Sequence, residues 1–169
     1  MTQQDSSWRI GVAGTALLAA ALLTACKTAP QTPPPAPPQQ VETGSTFTLL
    51  SPLTFPPSPS QLLFQGGRSV DASAISAGSP YCKLVPHVGA PHSLLPGPLR
   101  VGSVSYDERE SGTGSALFSI TRITLLASPS QPGYTMSCGW SAALASPNFV
   151  STEQIDSAIR GQFTMQLLR

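Results

Sequence analysis

Charge is scarce in this 169-residue chain: Asp, Glu, Lys and Arg together make up 10% of it, with a formal net charge of +1. From Glu42 to Arg169, seven Lys and Arg balance seven Asp and Glu. No basic stripe and no repeated pairing of arginine with aromatics appears, which excludes the electrostatic footprint of a nucleic-acid binder. Other absences narrow the chemistry. There is no Cys-x-x-Cys, so a thioredoxin-like redox motif has no support. No G-x-S-x-G elbow occurs, and "SGTGSA" reverses the useful order. "FQGGR", around Gly66 and Gly67, lacks the glycine spacing and the Lys-Ser/Thr ending of a phosphate-binding loop. No internal repeat stands out. The longest uncharged apolar run, sixteen residues from Ile10 to Ala25, falls short of the roughly 17–25 that a lipid-spanning helix needs.

The residues on either side of that run give it a meaning. Arg9 is the only basic residue among the first 26, and small residues close the run. A basic start, a short apolar stretch and small residues before a cut site form the pattern of a secretory signal peptide. The run ends in Leu23-Thr24-Ala25-Cys26. These four residues resemble the lipobox of bacterial lipoproteins, a resemblance that covers the first 26 residues and says nothing of the domain beyond Cys26. It implies lipidation of Cys26 by a diacylglycerol group, cleavage of the signal peptide 1–25, and acylation of the new N-terminus with palmitate-like chains. Two or three chains anchor stably, because each buried CH₂ contributes about 0.8 kcal/mol and one chain holds only marginally. Lys27 stands where an Asp would resemble an inner-membrane retention signal. The resemblance therefore implies the outer membrane with the domain facing the periplasm; the inner membrane and the cell surface are the alternatives. An uncleaved anchor ending in an ordinary cysteine is the competing reading.

Residues 28–41, "TAPQTPPPAPPQQV", are dominated by Pro, Gln and Thr. Proline lacks the amide donor and fixes φ, so this stretch favours extended polyproline II rather than helix or sheet. We expect residues 26–41 to be a lipidated cysteine plus a semi-rigid periplasmic tether. "PPPAPP" also contains the PxxP pattern of ligands for proline-binding modules, but no arginine flanks it.

Residues 42–169 are enough for one small globular domain and not comfortably for two. Its N-terminal part is rich in Pro and Gly. "STFTLL" reads as a first strand. "LTFPPSPSQLLFQGG", with Pro56, Pro57 and Pro59 in it and Pro52 just before it, reads as a long loop or extended edge segment. Residues 99–107 read as a strand with Leu99, Val101, Ser103 and Ser105 on one face and Arg100, Gly102, Val104 and Tyr106 on the other. In residues 116–127, Leu117, Ser119, Thr121, Ile123 and Leu125 share a face. "ERESGTGS" between them reads as a hairpin connection. Residues 133–145 form a third candidate strand after the turn "SPSQPG". Near the end, Ser151 and Gln154 match a capping box, and Ile155, Ala158 and Ile159 recur at helical spacing. "QFTMQLLR" then returns as a last strand, with Gly161 marking the break. The expected fold class is α+β: a mainly antiparallel β domain with one short C-terminal helix packed on the sheet and one disulfide.

With Cys26 assigned to lipid, Cys82 and Cys138 form the remaining pair, and in an oxidising envelope compartment a disulfide is expected. Buried free thiols are the alternative. His87 and His92 invite two further readings, a Cys82–His nucleophilic pair and a metal site. A disulfide removes the thiolate that the first needs, and zinc requires three or four converging ligands, so both histidines are weak metal candidates. Asp107, Glu108 and Glu110 around Arg109 read as a solvated hairpin tip rather than paired catalytic carboxylates. Trp140, two residues past Cys138, is expected to pack beside the disulfide, and Tyr106 and Phe118 to be cross-strand neighbours. No cofactor, metal or nucleic acid is called for. The sequence points to a non-enzymatic structural or accessory subunit of an envelope protein complex, with other envelope proteins and the membrane as partners. A small-ligand, glycan or lipid-binding module is the first alternative, and an envelope hydrolase the second.

Overall fold

Of the computed structural model, residues 37–76, 78–90, 92–110, 117–128, 133–142 and 149–168 are described. The signal peptide, the Leu23–Cys26 motif and the proline-rich residues up to 36 lie outside them. The folded unit starts at Pro37 and so takes in the last residues of the compositional tether.

Among the described residues the unit has ten strands, one α-helix and a single 3₁₀ turn at Ala72–Ala74. The strands and the α-helix are β1 (Thr46–Leu49), β2 (Leu53–Thr54), β3 (Leu62–Gln65), β4 (Arg68–Val70), β5 (Tyr81–Pro86), β6 (Ser93–Leu94), β7 (Gly97–Glu110), β8 (Leu117–Leu126), β9 (Tyr134–Ala142), α1 (Thr152–Ile159) and β10 (Phe163–Gln166). Eight strands form one sheet in the order β10-β1-β7-β8-β9-β5-β3-β4. Every neighbouring pair is antiparallel.

Alternation of apolar and polar residues decides which face is buried. On β8, Ser119, Thr121, Ile123 and Leu125 are buried while Phe118, Ile120, Arg122 and Thr124 are half-buried, as their spacing predicts. On β7 the expected faces hold only to Val101. Val101 opposes Leu125 and Ser103 opposes Thr124, which leaves Gly102 as the extra residue of a β-bulge. One inserted residue reverses the pleat. Beyond it Val104 packs against the core and Tyr106 against Phe149, while Ser103 and Ser105 are exposed. The segment read as a long loop or extended edge segment is corrected in part. Its prolines lie in irregular chain, but they precede β3, which is an interior strand between β4 and β5.

The sheet curls into a half-barrel. Phe64 on its seventh strand meets Phe163 on its first, edge to face with ring centroids 5.9 Å apart. Between these edges lies α1, against β3, β5 and β10. The Ser151 Oγ accepts from the Gln154 amide at 3.3 Å, and the Gln154 Oε1 accepts from the Ser151 amide at 2.8 Å. Ile155, Ala158 and Ile159 are fully buried. A helix of eight residues is too short to hold by propensity, so this apolar face supplies most of its stability.

The β3–β4 turn is fastened to the far end of the helix. The Gly67 amide donates to the Ala158 carbonyl at 3.1 Å. Gly67 has φ +82°, and a Cβ there would collide with the Arg160 carbonyl oxygen. Gly66, with φ +60°, has open space around it. Gly67→Ala should therefore cost about 2–4 kcal/mol, against about 1–2 kcal/mol for the backbone strain of Gly66→Ala alone. Thermal melting of the two variants checks this; equal losses would mean that the turn does not dock.

One end of the half-barrel is closed by the β2–β6 ladder, which pairs Leu53 with Leu94. Both are buried, as is Phe55, whose ring stacks on Tyr134 at 5.7 Å. The opposite end is closed by the segment through which the chain enters the fold, with Val41 buried at its centre.

Candidate functional site

Cys82 and Cys138 are joined. They face each other directly across β5 and β9 with an S–S distance of 2.08 Å, and both are inaccessible to solvent. No thiolate is left there for a Cys–His pair. His87 Nε2 instead lies 2.8 Å from Thr135 Oγ1, and the His92 carbonyl accepts from the Phe55 amide at 2.8 Å. Both rings are exposed. Among the described residues no three of His, Cys, Asp and Glu converge.

Asp107 pairs with Arg122 at 3.3 Å on the half-exposed surface. Glu108, Arg109 and Glu110 extend β7 along β8, and the tip of that hairpin lies outside the described residues. Trp140 does pack against the core, with its Nε1 donating to the Gly78 carbonyl at 3.2 Å. Tyr106 and Phe118 are not neighbours: Tyr106 opposes Thr121, and Phe118 opposes Arg109. The bulge puts them on opposite faces. The Phe118 ring lies instead beside Tyr81 and over Gly139, where a bare backbone leaves room for it.

The chain enters the fold as a strap. The Gln39 carbonyl accepts from the amide of Thr152, the first residue of α1, at 2.9 Å. Val41 is buried, and its carbonyl accepts from the Tyr106 hydroxyl at 3.1 Å. Partial burial, and then the charge of Glu42, hold the Tyr106 phenol above its usual pKa. Val150 closes the same end, its amide donating to Thr121 Oγ1 at 2.9 Å.

Large side chains fill the core, among them Phe47, Phe64, Tyr134, Met136 and Phe163. Among the described residues the surface carries open clefts, three of which contain charged or apolar groups. One of about 560 Å³ holds Arg68 between the β3–β4 hairpin and a loop clamped by Gln65, whose amide bonds Ser76 and Ser79. A second of about 830 Å³ lies between Gln39–Glu42 and Met165–Leu168. The third, about 660 Å³, lies on the convex face at the bulge and contains Arg100, Leu126 and Leu168.

Surface character is uneven. The loops at the end closed by β2 and β6 contain no charged residue from Leu50 to Gln61 or from Pro86 to Leu99. They expose Val88 completely, Leu95 by 71% and Leu50 by 48%. Sequence reading found neither this end nor the Arg100 cleft. The one available signal was Gly102, because a glycine inside a strand often marks a bulge. Among the described residues no helix is long and apolar enough to cross a membrane. In comparisons with known proteins, no family model, no curated protein and no solved structure matches this chain.

Proposed function

We propose that this chain is a membrane-anchored envelope lipoprotein, a non-enzymatic structural or accessory subunit of a periplasmic or outer-membrane protein complex. The observation that carries the reading is the buried Cys82–Cys138 disulfide. Disulfides persist in oxidising compartments such as the periplasm, which is where the signal-peptide pattern would send the chain. The pairing also leaves Cys26 as the one cysteine of three outside it, within the four residues that resemble a lipobox. The uncharged loop end supports a protein partner. It exposes Val88 and Leu95, and apolar side chains on an uncharged surface suit contact with another protein. Gly97, at that end, and Tyr106, beside the strap, are nine residues apart on β7, about 30 Å at 3.3 Å per residue. A partner there would meet the end of the fold opposite the strap at Gln39–Val41.

Two measurements test the two halves of this reading. Labelled palmitate should enter the wild-type chain, and Cys26→Ser should abolish the label and move the protein from the membrane to the soluble fraction. A Cys26→Ser chain that keeps both label and membrane would end the anchor reading. A photocrosslinker at residue 88 in native envelopes should capture one protein in stoichiometric yield. Recovery of the acylated chain alone would remove the accessory role and leave the anchor.

A further inference from the structure

The cleft at the bulge has the features of a ligand site. Thr46, Arg100 and Leu126 lie directly opposite one another across β1, β7 and β8. Leu99 and Val101 point into the core, so this row stands on the convex face. Arg122 and Arg160 each have an aspartate partner. Arg100 has neither a carboxylate nor a hydrogen-bond partner among the described residues, and no carboxylate side chain lines its cleft.

Two glycines shape the walls. A Cβ on Gly102 would lie 2.8 Å from Leu126 Cδ1, and one on Gly44 would lie 2.5 Å from Leu168 Cδ1. Both leucines thus rest on bare backbone and flank the guanidinium. The Leu168 amide donates to Ser45 Oγ at 3.3 Å, which fixes that wall, and its side chain remains about half exposed. Pro98 extends the apolar surface.

We propose that this cleft binds an anionic amphiphile, with a carboxylate or phosphate head on Arg100 and an aliphatic chain along Leu126, Leu168 and Pro98. The planar guanidinium fork suits two-point contact with the oxygens of either head. A volume of about 660 Å³ falls within the roughly 300–1,000 Å³ of small-ligand sites, which are mostly apolar with a few placed polar groups. Neither the anchor at Cys26 nor the accessory role is needed for this inference.

The test uses the full chain reconstituted in phosphatidylcholine vesicles and a dodecanoate carrying a photoreactive diazirine. Labelling should saturate and map to the peptides containing Pro98–Gly102 and Leu126–Ser128. Dodecanoate and dodecyl phosphate should compete, and dodecanol should compete at least tenfold less well. Arg100→Gln should weaken labelling about tenfold without lowering the melting temperature, because the side chain is exposed. Leu168→Glu should do the same by placing a negative charge in the wall. If vesicles containing phosphatidylglycerol also suppress the label, the ligand is drawn from the membrane; if they do not, it is a free single-chain amphiphile. Labelling confined to the N-terminal apolar run, undiminished by Arg100→Gln, or competed equally by dodecanol would overturn the proposal.

Discussion

Replacing Cys82 and Cys138 together with alanine should lower the stability of the domain by about 4 kcal/mol, the chain-entropy value for a closed loop of this size. The separation is 56 residues. For a domain of this length that corresponds to a drop in melting temperature on the order of 10–20 °C. The position of the crosslink makes the loss local at first. The strands β3 and β4 reach the rest of the sheet only through β5, and β5 only through its ladder with β9. Without the disulfide, that ladder, α1 and side-chain packing such as Phe64 on Phe163 hold the three strands. Amides from Leu62 to Val85 should then exchange with solvent sooner than those of β7 and β8, and hydrogen exchange resolves the difference. A double variant that melts within about 2 °C of the parent, a shift worth well under 1 kcal/mol, or that exchanges uniformly, would show that the crosslink adds nothing to this edge.

The second large effect concerns the strap. A chain beginning at Pro37 should be about 3–4 kcal/mol more stable than one beginning at Glu42. Burial of the Val41 side chain contributes about 2 kcal/mol of this. The two hydrogen bonds, from Thr152 to Gln39 and from Tyr106 to Val41, contribute about 1 kcal/mol each. Removing the strap also uncovers the first turn of α1, where backbone amides have no partner within the helix. The phenol adds a signature in pH. Its pKa is raised in the folded state, so its contribution is fully present below the unfolded value of about 10 and is lost as pH rises through the folded one. The gap between the two truncations should therefore narrow above about pH 10. Denaturant melts of both chains at neutral and alkaline pH measure it. Equal midpoints at neutral pH would place the domain boundary at Glu42, where composition alone puts it.

What could be read from sequence was local. The capping box at Ser151 and Gln154, the spacing of Ile155, Ala158 and Ile159, and the alternation along β8 depend on residues within one element. The disulfide came from counting cysteines once a compartment was inferred. What was illegible depended on pairing at a distance. Gly102 hints at a bulge, but only its pairing with β8 shows that it is the residue left over, so the faces of Ser103 to Tyr106 are reversed from the simple alternation. Nothing in "FPPSPSQLLFQ" announces that Leu53 will pair with Leu94, or that Phe64 will meet Phe163 and so curl the sheet. The Arg100 cleft needs a glycine turn, a bulge and a leucine near the C-terminus to converge, three features that span residues 44 to 168. The Arg100 side chain alone carries no sign of that convergence.

The place of β1 in the sheet bears on how the domain carries mechanical load. Tension applied through residues before Pro37 first meets the strap and then β1, whose Thr46–Leu49 is bonded on one side to β10 and on the other to β7. A pull along a strand held on both flanks shears its hydrogen bonds together, whereas a pull on an edge strand opens them one at a time. The first strand to feel force is thus an interior one, and the C-terminal strand is its neighbour. Extraction of the chain by its N-terminus has to break both ladders at once.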